Sequence, residues 1–160
     1  MTTTTDSTIA PVRKSITVKA TPEHAFHVYT AEFDSWWPRS HHIGKSPMAK
    51  GFIEPRKGGR WYEVCDDGSE CDWGDVLAWE PPARLLLAWR LNAKWEYDPD
   101  LLTEVEVRFT PLGEAETRVD FEHRGFERMG VGGEAARMSV DSPNGWGALL
   151  AEFQKAAETA

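Results

Sequence analysis

The stretch 32–47, EFDSWWPRSHHIGKSP, places Trp36 and Trp37 just ahead of His41 and His42. Together with His24 and His27 upstream, these imidazoles could in principle hold zinc or another divalent ion. The spacing argues otherwise. His41 and His42 are adjacent and point apart in extended chain, and His24 and His27 flank the helix side away from Phe26. No ligand motif of fixed spacing is present, so we expect no metal and no cofactor. An aromatic rim, with Trp36 and Trp37 at a cavity mouth and the histidines nearby, is the better reading. Cys65 and Cys71 bracket a turn and would face each other if the hairpin is symmetric about Gly68. In a reducing compartment they are expected as free thiols, and alone they are too few for a structural zinc site without histidine help.

Acid–base chemistry has other candidates. Glu54, Glu63, Arg56 and Arg60 surround the first hairpin, and paired carboxylates can divide into proton donor and acceptor. Strand carboxylates are more often solvated. Alternation along 103–110 turns Val105, Val107 and Phe109 inward, and along 116–124 it turns Thr117, Val119 and Phe121 inward. The same count puts His123 inside, either as an acid, base or ligand-orienting donor, or as a core histidine bonded to the backbone. In 71–79 it aligns Asp75 with Trp73 and Trp79, so either a bulge after Gly74 switches the face or Asp75 is buried; the bulge is preferred.

The elements that must position these residues read clearly. A strand over 14–20 faces Ile16, Val18 and Ala20 inward, and Thr21-Pro22-Glu23 then starts a helix to about Thr30. Phe33, Trp36 and Trp37 continue as a second short helix ended by Pro38. Six strands follow at 50–54, 59–65, 71–80, 84–91, 103–110 and 116–124, with short turns that imply an antiparallel meander. A final helix over 143–158 aligns Trp146, Leu149, Leu150, Phe153 and Ala157. The glycine-rich stretch 130–133 lacks the βαβ setting of a dinucleotide loop and is expected as a flexible connection, a lid carrying Met129 and Met138. The expected fold class is α+β: a curved seven-stranded antiparallel sheet around a long C-terminal helix, with two short helices closing one end.

Bulk properties narrow the partners. The 160 residues suit one domain, taken as 12–160 behind a disordered tail at 1–11. Eight tryptophans must fill a core or line a cavity. A net charge of -8 without a basic stripe excludes nucleic acid and argues against anionic membranes, and no apolar stretch approaches the ~20 residues of a span. The start of the chain lacks a secretory pattern, which points to the cytoplasm. Oligomeric state is open between monomer and homodimer.

Several stretches carry a resemblance: 18–26 (VKATPEHAF), 58–63 (GGRWYE), 67–68 (DG), 73–76 (WGDV), 79–89 (WEPPARLLLAW) and 145–146 (GW). Together they resemble the START-like (SRPBCC) superfamily, more narrowly the branch of activator-of-heat-shock-protein-90-ATPase homologues, over about 12–158. The resemblance implies a helix-grip fold with a hydrophobic cavity between sheet and C-terminal helix, and transfers no catalytic set. Three functions follow as expectations. The first is binding of a hydrophobic or aromatic small molecule by Trp36, Trp37, Trp61, Trp73, Trp89, Phe109, Phe121, His123 and Trp146. The second is a co-chaperone-like or regulatory module whose partner is a protein, a chaperone or regulator. The third is a cofactor-independent cyclase or hydrolase using His123 or Glu63.

Overall fold

A computed structural model describes residues 9–159. Strand β1 (Val12–Val18) leads into helix α1 (Pro22–Thr30) and the single turn α2 (Phe33–Trp36). Six strands follow: β2 (Met48–Ile53), β3 (Arg60–Cys65), β4 (Glu70–Glu80), β5 (Arg84–Trp89), β6 (Thr103–Gly113) and β7 (Glu116–Arg124). A 3₁₀ segment (Phe126–Gly132), helix α3 (Gly133–Val140) and helix α4 (Trp146–Thr159) complete the chain. All seven strands pair antiparallel in the order β1-β7-β6-β5-β4-β3-β2, a meander closed at one edge by the first strand. The curled sheet grips α4, the helix-grip architecture.

Local chemistry explains the boundaries. Thr21 caps α1, its Oγ1 accepting from the His24 amide at 3.1 Å, and Pro22 fills the first turn, where a missing N–H costs nothing. Alternation holds along β6 and β7: Val105, Val107, Phe109, Thr117, Val119, Phe121 and His123 are all buried. Tyr29 and Trp36 each pack edge to face on Phe153, and tilted against each other, where α1, α2 and α4 meet. Among the described residues no helix is long and apolar enough to cross a membrane.

Three expectations are refined. The register of β3 and β4 slips so that Trp61 pairs with Gly74 and Tyr62 with Asp72, which makes Trp73 the bulged residue, one place before Gly74. The bulge keeps Trp73 inside and releases Asp75 outward, where it accepts from Arg90 Nε at 2.6 Å. Gly74 permits this crossing, since a Cβ there would lie 1.7 Å from the Ala88 carbonyl oxygen. The stretch 130–133 kinks at Gly130 (φ 72°, ψ -135°) between the 3₁₀ segment and α3 rather than forming a long loop; Met138 is exposed and Met129 packs partly buried against the core. Of the tail expected at 1–11, residues 1–8 lie outside the described residues. Beyond them, the Ile9 amide donates to Glu127 and Arg137 donates to the carbonyls of Ala10 and Pro11.

Candidate functional site

Where α2 runs into β2 and α3 into α4, the sheet and helix do not close on each other. A pocket of about 350 Å³ opens there. Its wall comes from four places: Trp37, His41, His42 and Ile43 after α2; Trp73 and Trp89 on β4 and β5; Leu91 and Trp95 after β5; and Val140, Asn144, Trp146 and Leu149 around the start of α4. The size and the apolar wall with few polar groups suit a small organic molecule.

The tryptophans form a closed belt. Ring centroids run from Trp37 to Trp146 at 5.9 Å, to Trp89 at 5.7 Å, to Trp61 at 5.6 Å, to Trp73 at 5.6 Å and back to Trp37 at 5.2 Å. Tilted and edge-to-face pairs at such spacing satisfy the ring quadrupoles and hold the belt stiff. Trp95 extends it from the rim, 6.2 Å from Trp89 and 42% exposed. Its φ of 62° is left-handed, a strained setting for a bulky residue. Asn92 imposes it: its carbonyl accepts the Trp95 amide at 2.9 Å and its side chain accepts the amides of Lys94 and Glu96.

Of the nine side chains expected around a ligand, Trp37, Trp73, Trp89 and Trp146 line the pocket. The other five are packed behind it. Trp36 donates to the Val28 carbonyl at 3.0 Å between α1 and α4. Trp61 is the buried back of the belt, its indole N–H without a partner among the described residues. Phe109 packs on Phe26 and Tyr29, and Phe121 packs on Trp146. Alternation placed Phe109 and Phe121 inside and Trp36 was expected at the cavity mouth, but the inside of a helix-grip fold is mostly core, and only the end near the α2–β2 loop is hollow.

His123 is fully buried and fully bonded. Its Nδ1 accepts from Trp146 Nε1 at 3.1 Å, so Nε2 carries the proton and donates to Thr103 Oγ1 at 3.0 Å. Thr103 in turn donates to the Trp89 carbonyl at 2.9 Å. Burial pushes the imidazole down to about 3, so it is neutral at physiological pH and bolts two belt residues together. The core-histidine alternative describes it, although its partners are side chains.

Glu63 is also completely buried. Its Oε1 accepts from the Ile43 amide at 2.7 Å and from Trp73 Nε1 at 2.8 Å, tying the α2–β2 loop and the belt to β3. Oε2 faces the Gly44 amide, the Cys65 thiol and His42 Nδ1 at 3.3, 3.6 and 3.6 Å. Glu54 is not its partner; it caps the hairpin through the Arg60 amide and Arg56. Cys71 stands opposite Glu63 rather than opposite Cys65, because the turn at 66–69 is offset by two residues from the symmetric pairing. Both thiols are free, and burial, then the Glu63 charge, push the Cys71 thiol up. The upstream histidines separate as their spacing implied. His27 pairs with Glu32 on the surface, whereas His41 bonds the Asn144 carbonyl at 2.7 Å across the pocket rim.

Sequence reasoning put the histidines near the cavity mouth but missed Leu91, Trp95, Val140 and Asn144 as pocket residues. All but Val140, the last residue of α3, sit in connections, where neither a two-residue nor a 3.6-residue period applies.

Comparison with known proteins adds a lineage. The family model described as Activator of Hsp90 ATPase homolog 1-like protein matches residues 19–158. Among solved structures, the anthrahydroquino-gamma-pyrone synthase Txn09 is 40% identical, the match covering 94% of this chain and 98% of that one with a TM-score of 0.66. The self-sacrificing resistance protein CalC from Micromonospora echinospora is 36% identical over 92% of this chain and 93% of its own, also with a TM-score of 0.66. An Hsp90 activator from Plasmodium falciparum shares the fold at 15% identity, 71% coverage of each chain and a TM-score of 0.51. No curated protein matches.

Proposed function

The chain belongs to the Activator of Hsp90 ATPase homolog 1-like family, and we propose that this member binds a planar, polycyclic aromatic molecule in the tryptophan-belted pocket. The carrying observation is the belt itself, with four of its five indoles on the pocket wall. Flat π faces bind flat π faces, and rigid rings lose little conformational entropy on doing so. The polar groups at the rim, His41, His42 and Asn144, suit oxygen substituents at the edge of such a ligand. The 40% identity with a protein named as an anthrahydroquino-gamma-pyrone synthase supports an oxygenated fused-ring ligand.

Titration with a hydroxylated anthraquinone tests the reading. Saturable quenching of tryptophan fluorescence is expected at one equivalent. Trp95→Ala, which removes a half-exposed rim ring, should weaken binding by about 1 kcal/mol, roughly fivefold. Leu149→Trp should block the pocket. The reading fails if quenching does not saturate, or if neither substitution changes it.

A second reading, catalysis in the same pocket, is favoured by His41 and His42, the titratable side chains on its wall. His123 and Glu63, expected as acid or base from the sequence, stand behind Trp146 and Trp73 respectively. Conversion of the bound aromatic, followed by mass, should then fall at least tenfold in His42→Ala. The chaperone or regulator expectation rests on the family description, and it predicts that Leu149→Trp leaves function intact.

A further inference from the structure

The cluster behind His42 has a composition that the aromatic pocket does not use. Glu63 and Cys65 are two apart on one face of β3, and Cys71 of β4 is paired directly with Glu63. Three donor side chains therefore share one patch, their ligand atoms all within 4.8 Å of one another. The α2–β2 loop brings His42 Nδ1 to the edge of that patch, 3.6 Å from Glu63 Oε2.

Two distances are informative. Cys65 Sγ and His42 Nδ1 each lie 3.6 Å from Glu63 Oε2. For the thiol that is an ordinary S–H···O hydrogen bond, but for a His–carboxylate hydrogen bond the separation is too long. Around a tetrahedral zinc ion, with Zn–S near 2.3 Å and Zn–N and Zn–O near 2.0–2.2 Å, neighbouring N/O/S ligand atoms lie roughly 3.3–3.8 Å apart. His42 Nδ1 is buried and has no hydrogen-bond partner among the described residues. Glu63 is wholly buried, yet its ionic neighbour is this imidazole rather than a lysine or arginine. Its carboxylate is held by four hydrogen-bond donors, so the uncompensated polar atom of the patch is His42 Nδ1.

Gly44 completes the pattern. A Cβ there would fall 2.4 Å from Cys65 Sγ, 3.0 Å from Glu63 Oε2 and 3.5 Å from Cys71 Sγ. The loop thus passes the donors at the one residue type that adds no carbon between them.

We propose that His42, Glu63, Cys65 and Cys71 form a site for a thiophilic divalent cation of the zinc class. Two thiolates and an imidazole select against magnesium and calcium, and four protein ligands leave no open position, so the role is structural. Binding displaces one proton from each thiol to solvent, and three anionic ligands around a dication leave one net negative charge. The ion clasps the α2–β2 loop to the β3–β4 hairpin and thereby fixes His42 at the pocket rim. The sequence offered only a cysteine pair needing histidine help; the fold supplies a histidine and a carboxylate. This site does not depend on the aromatic-ligand reading.

The test uses the full chain, stripped with a chelator under reducing conditions and titrated with cobalt(II), then zinc(II). Expected are one equivalent bound with submicromolar affinity, thiolate-to-cobalt charge-transfer absorption with intense tetrahedral visible bands, displacement by zinc, and a higher Tm with zinc than without. Cys71→Ser should abolish the charge-transfer intensity or halve it. His42→Ala, at a partly exposed position that the core does not need, should weaken zinc at least tenfold. A cobalt spectrum without charge transfer, or one unchanged in both variants, overturns the proposal. So does a Tm indifferent to zinc.

Discussion

Two buried polar side chains on the inner face of the sheet, His123 on β7 and Glu63 on β3, have opposite surroundings. Both His123 nitrogens are committed, to Trp146 and Thr103, and its other ring neighbours Trp89 and Phe126 are uncharged. Glu63 holds two short bonds on one oxygen, whereas the other has only the longer ones from the Gly44 amide and the Cys65 thiol and looks onto an imidazole nitrogen without a partner. A saturated polar group in a core specifies packing, because every alternative arrangement orphans one of its bonds. An unsaturated one marks a place where something further can bind. Burial alone would have treated the two residues alike.

The largest effect expected from breaking this comparison is at His123. His123→Ala orphans the Trp146 N–H and the Thr103 hydroxyl inside the belt and leaves a cavity, so it should cost about 3–5 kcal/mol in urea unfolding. A stable variant that merely bound ligand less tightly would return His123 to the role of ligand donor.

Acidification probes the same residue without mutation. The folded-state value of about 3 lies below the ordinary 6.5, so the unfolded chain takes up the proton first as pH falls. The stabilisation is complete above about pH 6.5 and is lost progressively down to about pH 3. From pH 7 to pH 5 this one group should remove about 2 kcal/mol. The comparison is with His123→Gln, whose unfolding free energy should lack that component; equal slopes for the two proteins would refute the linkage.

A smaller contrast lies within the belt. Trp146→Phe strands His123 Nδ1 as a buried acceptor, whereas Trp61→Phe removes an N–H that already has no partner. Both lose similar volume. Trp146→Phe should therefore be the more destabilising by about 1 kcal/mol, and the reverse order would show that packing outweighs hydrogen bonding here.

The sequence carried one side of the comparison better than the other. Inward alternation along 103–110 and 116–124 delivers Val105, Phe121 and His123 to the core because strand side chains have a strict two-residue period. The bulge was legible from the conflict between Asp75 and its apolar neighbours, though its place at Trp73 depends on the Gly74–Ala88 approach, a contact between strands. The Glu63 cluster was not legible. His42 reaches Glu63 from a loop with no period, and the Cys65–Cys71 relation turns on the hairpin offset rather than on their spacing. Likewise Trp95 and Asn144 enter the pocket through connections whose course is set by Asn92 and by the turn before α4.

The smallest stability effect is expected at Glu63 itself, in metal-free protein. Glu63→Gln keeps a carbonyl oxygen for the Ile43 amide and the Trp73 indole, the two short bonds that anchor the loop. Its amide nitrogen takes the place of Oε2 and gives up the long bonds from the Gly44 amide and the Cys65 thiol. The bonds lost are the two long ones and the two short ones stay, so the unfolding free energy should move by less than about 1 kcal/mol. The same substitution exchanges an anionic ligand for a neutral one and should sharply reduce cobalt and zinc affinity. A loss of several kcal/mol in metal-free Glu63→Gln would instead make Glu63 a core anchor of the His123 kind, and the two sides of the belt would then be alike.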